Sequence, residues 1–169
     1  MLKKTIEDIC NRQVDREGFS SSLYLAMASW AEVNGFSGVA EWLYVQSDEE
    51  RMHMLKFIKY INEREGKAVV PAFKKPETEF KNVEALFGEV LKHEKFVTAS
   101  INEIVALTLE EKDFNTYNFL QWFVNEQVEE ENSARVILDK LRLVGKNNLY
   151  QFDRDIMSLR TPSPAAPVI

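Results

Sequence analysis

Apolar residues recur along this chain at intervals of three and four over long stretches, the signature of helices that bury one face. The first stretch predicts a helix from near Thr5, where Thr5-Ile6-Glu7-Asp8 resembles a capping box with Asp in place of Glu, to about Glu32. It stops before Asn34-Gly35, a strong turn pair. A second helix is expected from Ser37 to Glu65, ending at Gly66, and a third from Asn82 to Glu110. The fourth takes Asp113 as its N-cap and stops before Gly145. A shorter stretch, Asn148 to Leu159, precedes Thr161-Pro162-Ser163-Pro164-Ala165-Ala166-Pro167, which cannot be regular helix. Residues 1–160 read as one domain and 161–169 as a Pro-rich tail. Only six glycines and five prolines occur in 169 residues, and period-two alternation is missing, so the fold class is all-α.

Connection lengths predict the topology. Helices one and two are joined by a few residues and form an antiparallel hairpin, as do helices three and four. Between the pairs lies Lys67 to Lys81, with Pro71 and Pro76. Such a linker extends to roughly 50 Å, whereas a helix of the second one's size is roughly 42 Å long. It can run the whole length of the bundle and bring helix three back parallel to helix two. The expected architecture is a four-helix bundle with one long crossover and a short fifth C-terminal helix.

Charge and cysteine content narrow the function. A net charge of −6 and a pI near 5.1 argue against general affinity for nucleic acid. The single cysteine, Cys10, excludes an intramolecular disulfide and any Cys-rich zinc or iron–sulfur site, and its place in the first helix predicts a buried, inert thiol. Met1-Leu2-Lys3-Lys4 leads into a polar helix rather than an apolar signal core, and no run of about 18 apolar residues could span a membrane. The expected location is cytoplasmic.

Polar residues interrupt the apolar stripes in a consistent way. On helix two, Glu50 and His53 share the stripe of Val39, Leu43, Phe57, Tyr60 and Ile61. On helix three, Glu94 sits amid Phe87, Val90, Leu91, Val97, Ile101 and Ile104. On helix four, Gln127 and Glu130 break the row of Leu120, Phe123, Ala134, Ile137 and Leu141. On helix one, Glu17 lies two turns before Tyr24, and Met27, Ala28 and Ala31 continue that face. Buried carboxylates are costly unless paired or bound to a cation, and these stripes carry no matching lysines or arginines. A metal is the simplest compensation. Carboxylates with a lone imidazole suit iron or manganese, and a bridging Glu suits two ions close together.

A known bundle pattern takes one glutamate from each of two helices and Glu-x-x-His from each of the other two. Glu17, Glu94 and Glu50-Arg51-Met52-His53 meet three parts of it, and the fourth helix departs, offering Gln127-Val128-Glu129-Glu130 with no histidine. With Glu49, with Asn118-Phe119-Leu120-Gln121-Trp122, and with Glu126-Gln127 and Glu129-Glu130, the chain resembles the prokaryotic non-haem ferritins from helix one to helix five. That resemblance implies a ferroxidase centre in which Glu17, Glu50 and His53 hold a first iron. Glu50 would bridge to a second iron held by Glu94 and Glu130, with Gln127 a nearby hydrogen-bonding residue. Glu49, Glu126, Glu129 and Glu130 resemble a third iron site, and Tyr24 resembles a tyrosine that supplies an electron during oxygen reduction. The resemblance further implies a homo-oligomeric 24-mer cage, with Fe²⁺ and O₂ (or H₂O₂) as substrates and ferric oxyhydroxide as the stored product. Where bacterioferritins carry a fourth-helix histidine and a haem-ligating Met, this chain has Glu130 and Arg51, which argues against haem.

Plainer readings stand beside these. Glu129-Glu130-Glu131 can be a solvated acidic run, Tyr24 and Trp122 can simply pack, and His93, about 100° from Glu94, suits a surface or supporting role. A di-iron oxidase acting on an organic substrate lacks its usual second Glu-x-x-His here. A metal-free scaffold bundle is opposed by the inward carboxylates.

Overall fold

In a computed structural model of the chain, residues 2–160 are described, and all their regular structure is helical. The helices are α1 (Lys4–Val33), α2 (Ser37–Glu63), α3 (Val83–Glu110), α4 (Phe114–Val144) and α5 (Leu149–Asp155). The proposed tail, 161–169, lies outside the described residues. No helix among the described residues is long and apolar enough to cross a membrane. The described helices fall into two compact units, one ending at Lys81 and the other beginning at Asn82.

The first unit is the α1–α2 hairpin with the long linker lying on it. Its helices approach closely at a reciprocal pair of serines. Ser21 Oγ donates to the Ser47 carbonyl at 2.9 Å, and Ser47 Oγ donates to the Ser21 carbonyl at 2.8 Å. Each hydroxyl thus ties one helix to the backbone of the other. Around this clasp Ile6, Val14, Met27, Ala31, Leu43, Phe57 and Ile61 are buried, as the stripe pattern requires. Cys10 is likewise buried and makes no disulfide.

The start of α1 differs from the sequence expectation. The helix begins one residue before Thr5, and Lys3, its N-cap, makes no side-chain capping bond. The acids of the expected box are engaged elsewhere. Asp8 pairs with Lys4 at 2.8 Å, and Glu7 accepts from Lys4 Nζ at 2.7 Å and from the Lys67 N–H at 3.1 Å.

Three helices end in one way. The N–H two residues past the cap reaches back to a carbonyl five residues earlier: Phe36 to Ala31, Gly66 to Ile61, and Asp113 to Thr108, each at 2.9 Å. This closure needs a left-handed residue just before the donor. Gly35 supplies it at φ 82°, but Glu65 and Lys112 adopt it at 59° and 56° without the freedom of glycine. The second helix therefore stops at Glu63, two residues short of expectation, and the turn falls on Glu65 rather than on Gly66. Gly66 is needed for closeness instead. A Cβ there would stand 3.0 Å from the Ile61 carbonyl and 2.9 Å from Glu7 Oε2.

The linker is held by side chains of the hairpin. Asn11 imitates a neighbouring strand: its Nδ2 donates to the Lys67 carbonyl at 3.0 Å, and its Oδ1 accepts from the Val69 N–H at 2.8 Å. Further on, the Phe73 ring occupies the space that a Cβ on Gly18 would fill. Phe80 then meets Trp30 edge-on, with ring centroids 5.8 Å apart. The linker thus travels along α1 in the direction of α1, from Asn11 to Trp30.

In the second unit α3 and α4 form the other hairpin. Asn82 caps α3 by accepting from the Ala85 N–H at 2.8 Å. Asp113 is the N-cap of α4, accepting from the Thr116 N–H at 3.1 Å and from its hydroxyl at 2.9 Å. The stretch after Gly145 is a 3-10 turn, then α5, then a second 3-10 turn at Ile156–Leu159. It folds back on α4, and Phe152 sets its ring edge-on to Phe87 at 6.4 Å.

Lys112 is exposed and sits in the left-handed region, which costs a residue with a Cβ about 1 kcal/mol. Lys112→Gly removes that strain, and part of the gain is offset by the entropy of glycine in the unfolded chain. The expected net is a small stabilisation of about 0.5 kcal/mol, seen as a higher midpoint in scanning calorimetry. An unchanged or lower midpoint would mean the turn stores no strain.

Candidate metal centre

Helical spacing assembles the first cluster. Glu50 and His53, three residues apart, leave α2 on one face, and Glu17 leaves α1. Each of the three offers a ligand atom within 4.8 Å of the others, and all three are buried. A divalent ion with bonds of about 2.1 Å links donor atoms up to about 4.2 Å apart, so a modest closure would seat it. His53 Nδ1 lies 3.6 Å from Glu50 Oε2, too far for a good hydrogen bond. The set is three hard or borderline donors, two carboxylates and one imidazole, and suits a first-row divalent metal.

The two oxygens of Glu17 are placed differently. Gln13, one turn earlier on the same buried face, donates to Glu17 Oε1 at 2.7 Å. The other oxygen, Oε2, is buried with no hydrogen-bond partner. Burial first, and then the neighbouring Glu50 charge, hold the Glu17 carboxyl well above its ordinary value of 4.5. Gln13 is the partner that sequence reasoning overlooked. The signal was present, as a polar residue in the buried row Ile6, Cys10, Val14 and Glu17.

In the second unit Glu94 on α3 and Glu126, Gln127 and Glu130 on α4 are all buried. Gln127 Nε2 donates to Glu94 Oε2 at 3.2 Å and to the Glu94 carbonyl at 3.3 Å. The same nitrogen lies 3.4 Å from Thr98 Oγ1, whose hydroxyl donates to Glu131 Oε1 at 2.8 Å. Thr98 and Glu131 were not among the residues singled out from the sequence for this site. Glu131 ends an acidic run, and only its place one turn after Gln127 marked it. Among the other expected residues, Glu49 and Glu129 are half-buried. Tyr24 is fully buried on the Glu17 side of α1, and Trp122 sets its ring edge-on to Phe123 at 4.9 Å. His93 is half-buried beside Phe96, and burial pushes its imidazole down to about 4, so it is neutral near pH 7.

Five glutamates (Glu17, Glu50, Glu94, Glu126 and Glu130) are buried, and no lysine or arginine among the described residues is buried with them. Long helices with inward carboxylates and one imidazole define a helical metal-binding protein. Comparison with known proteins makes the class specific. The Ferritin-like domain family matches residues 7–144. A probable bacterial non-heme ferritin-like protein of Haemophilus influenzae is 41% identical, covering 95% of this chain and 99% of its own. The bacterial non-heme ferritin of Campylobacter jejuni is 39% identical, covering 94% of this chain and 96% of its own. Among solved structures, the open pore ferritin of Archaeoglobus fulgidus is 42% identical with a TM-score of 0.91, covering 95% of this chain and 98% of its own. This chain belongs to the ferritin family. Its fold is the ferritin-like four-helix bundle with one long crossover and a short fifth helix, and its activity is that of the family, iron storage with oxidation of Fe(II).

A carboxyl raised above 4.5 in the folded chain binds more protons folded than unfolded. The iron-free protein therefore loses stability as pH rises from about 4.5 towards the folded value, by at most about 1.4 kcal/mol per pH unit. Glu17→Gln lacks this titration. Its melting temperature relative to the parent should climb between pH 5 and pH 8 in iron-free protein, and a constant difference would contradict the raised carboxyl.

Proposed function

We propose that this chain is a ferroxidase subunit with an intra-subunit di-iron centre. The observation that carries the reading is the set of buried glutamates with no buried lysine or arginine among the described residues. Fe²⁺ is the substrate. Glu17, Glu50 and His53 take the first iron, and the unpartnered Glu17 oxygen and the mutual spacing of the three groups support this. Glu50 bridges to a second iron held by Glu94 and Glu130, beside Gln127. The support here is their burial and the resemblance of these positions to those of prokaryotic non-haem ferritins. Glu49, Glu126 and Glu129, with Glu130, form a third iron site of weaker hold, in keeping with the partial exposure of Glu49 and Glu129.

Two adjacent irons deliver two electrons together to O₂ (or to H₂O₂), and Tyr24, buried on the Glu17 face, supplies a further electron when one is needed. Carboxylates exchange their metals readily, which suits a site that must release Fe³⁺ after each turnover. The product moves on to a ferric oxyhydroxide store. Self-assembly goes with the family, and we place the stoichiometry at a hollow 24-mer in the cytoplasm. Storage without haem fits relatives that are named non-heme ferritins.

Glu50→Ala removes the shared ligand, so rapid aerobic oxidation of Fe²⁺ should disappear from stopped-flow absorbance while assembly persists. A rate equal to the parent's would sink the site assignment. Storage itself is tested by sizing chromatography after aerobic Fe²⁺ addition, with iron and protein recorded together. Iron far above two per chain on a very large particle is expected. About two per chain on a small species would point instead to a di-iron enzyme with an organic substrate.

A further inference from the structure

Glu131 is half-buried at the α3–α4 seam, paired with Arg135 at 3.0 Å. As a carboxylate it can only accept hydrogen bonds. Thr98 must therefore spend its one hydroxyl proton on Glu131, at 2.8 Å. Towards Gln127, 3.4 Å away, Thr98 is then left with lone pairs alone. Together with the Glu94 carbonyl, an acceptor 3.3 Å from the same nitrogen, that decides the orientation of the Gln127 amide, which heavy-atom positions by themselves do not. Its NH₂ group must face Thr98 and Glu94, and Nε2 accordingly donates to Glu94 Oε2 at 3.2 Å. Each link leaves the next one a single choice.

We infer that Thr98 and Glu131 are positioning residues that lock Gln127 as a donor to Glu94, so that Glu94 presents one fixed oxygen to the second metal. This rests on the reading of Glu94 as a ligand of that metal. Were the amide to turn over, its carbonyl oxygen would face the Glu94 carboxylate, and the repulsion would displace the ligand. Hydrogen bonds of this outer kind orient ligating carboxylates, and their removal typically costs about 10–100-fold in metal affinity. The arrangement also assigns a task to Glu131, the one member of the acidic run for which the ferroxidase reading has no use.

The test is anaerobic titration of the assembled protein with Co²⁺, followed by its visible absorption, in the parent, Thr98→Val and Thr98→Ser. Thr98 borders a cleft of about 220 Å³ between the helices, so valine, of the same shape, has room to fit. Thr98→Val should weaken the second Co²⁺ by at least about tenfold and leave the first as in the parent, and Thr98→Ser, which keeps the hydroxyl, should restore it. Parent-like binding of both ions by Thr98→Val would overturn the lock, as would equal weakening in both variants. A parent that binds a single Co²⁺ would overturn the two-metal reading itself, and this inference with it.

Discussion

Removing a carboxylate from water is costly, and this chain buries several with no buried lysine or arginine among the described residues. Glu17, Glu50 and Glu94 are as well buried as the leucines around them. Other features serve that burial. Side-chain amides meet two of the carboxylates: Gln13 donates to Glu17 and Gln127 donates to Glu94. Neither amide neutralises charge, so each holds its carboxylate in place while leaving the need for a cation intact. Glu17, with one oxygen hydrogen-bonded and the other unpartnered, has the arrangement that a ligand set in advance for a metal would need. A core that buries carboxylates in this way is less stable than an apolar one would be, and long helices with ample apolar burial make that tolerable.

Most of the architecture could be read from periodicity because the helices are long and their stripes continuous. Every residue placed on the stripe of α2 proved buried, and Asp113 caps α4 as its side chain and position imply. The first cluster was equally legible: Glu50 and His53 stand on one face by spacing alone, and Glu17 interrupts a row of apolar neighbours. Helix ends were less so. Gly66 looked like the stop after α2, yet the left-handed turn fell on Glu65, because the closing bond to the Ile61 carbonyl counts residues from the last turn and is indifferent to where glycine stands. Asp8 looked like half of a capping box and instead pairs with Lys4.

What stayed hidden depends on residues distant in sequence. Asn11 reads as an ordinary exposed polar position on α1, and nothing local says that it will hold Lys67 and Val69. Thr98 and Glu131 stand 33 residues apart and acquire meaning only when α3 lies against α4. Gly18 reads as a weakness within a helix, whereas the missing side chain makes room for Phe73. Periodicity reports which face is buried. It does not report what a polar group on that face will meet.

The linker's three anchorages work together as a vernier. Between Asn11 and Gly18 the helix advances about 10 Å, and the four residues from Val69 to Phe73 can span about 13 Å. Between Gly18 and Trp30 it advances about 18 Å, and the seven residues from Phe73 to Phe80 can span about 23 Å. Neither interval has slack for a deleted pair of residues, and an inserted pair would have to bulge away from α1. The segment with the least regular structure is therefore as intolerant of deletion as a helix, and a shorter linker must give up a notch of the scale: the asparagine bridge, the ring on Gly18, or the edge-on pair at Trp30.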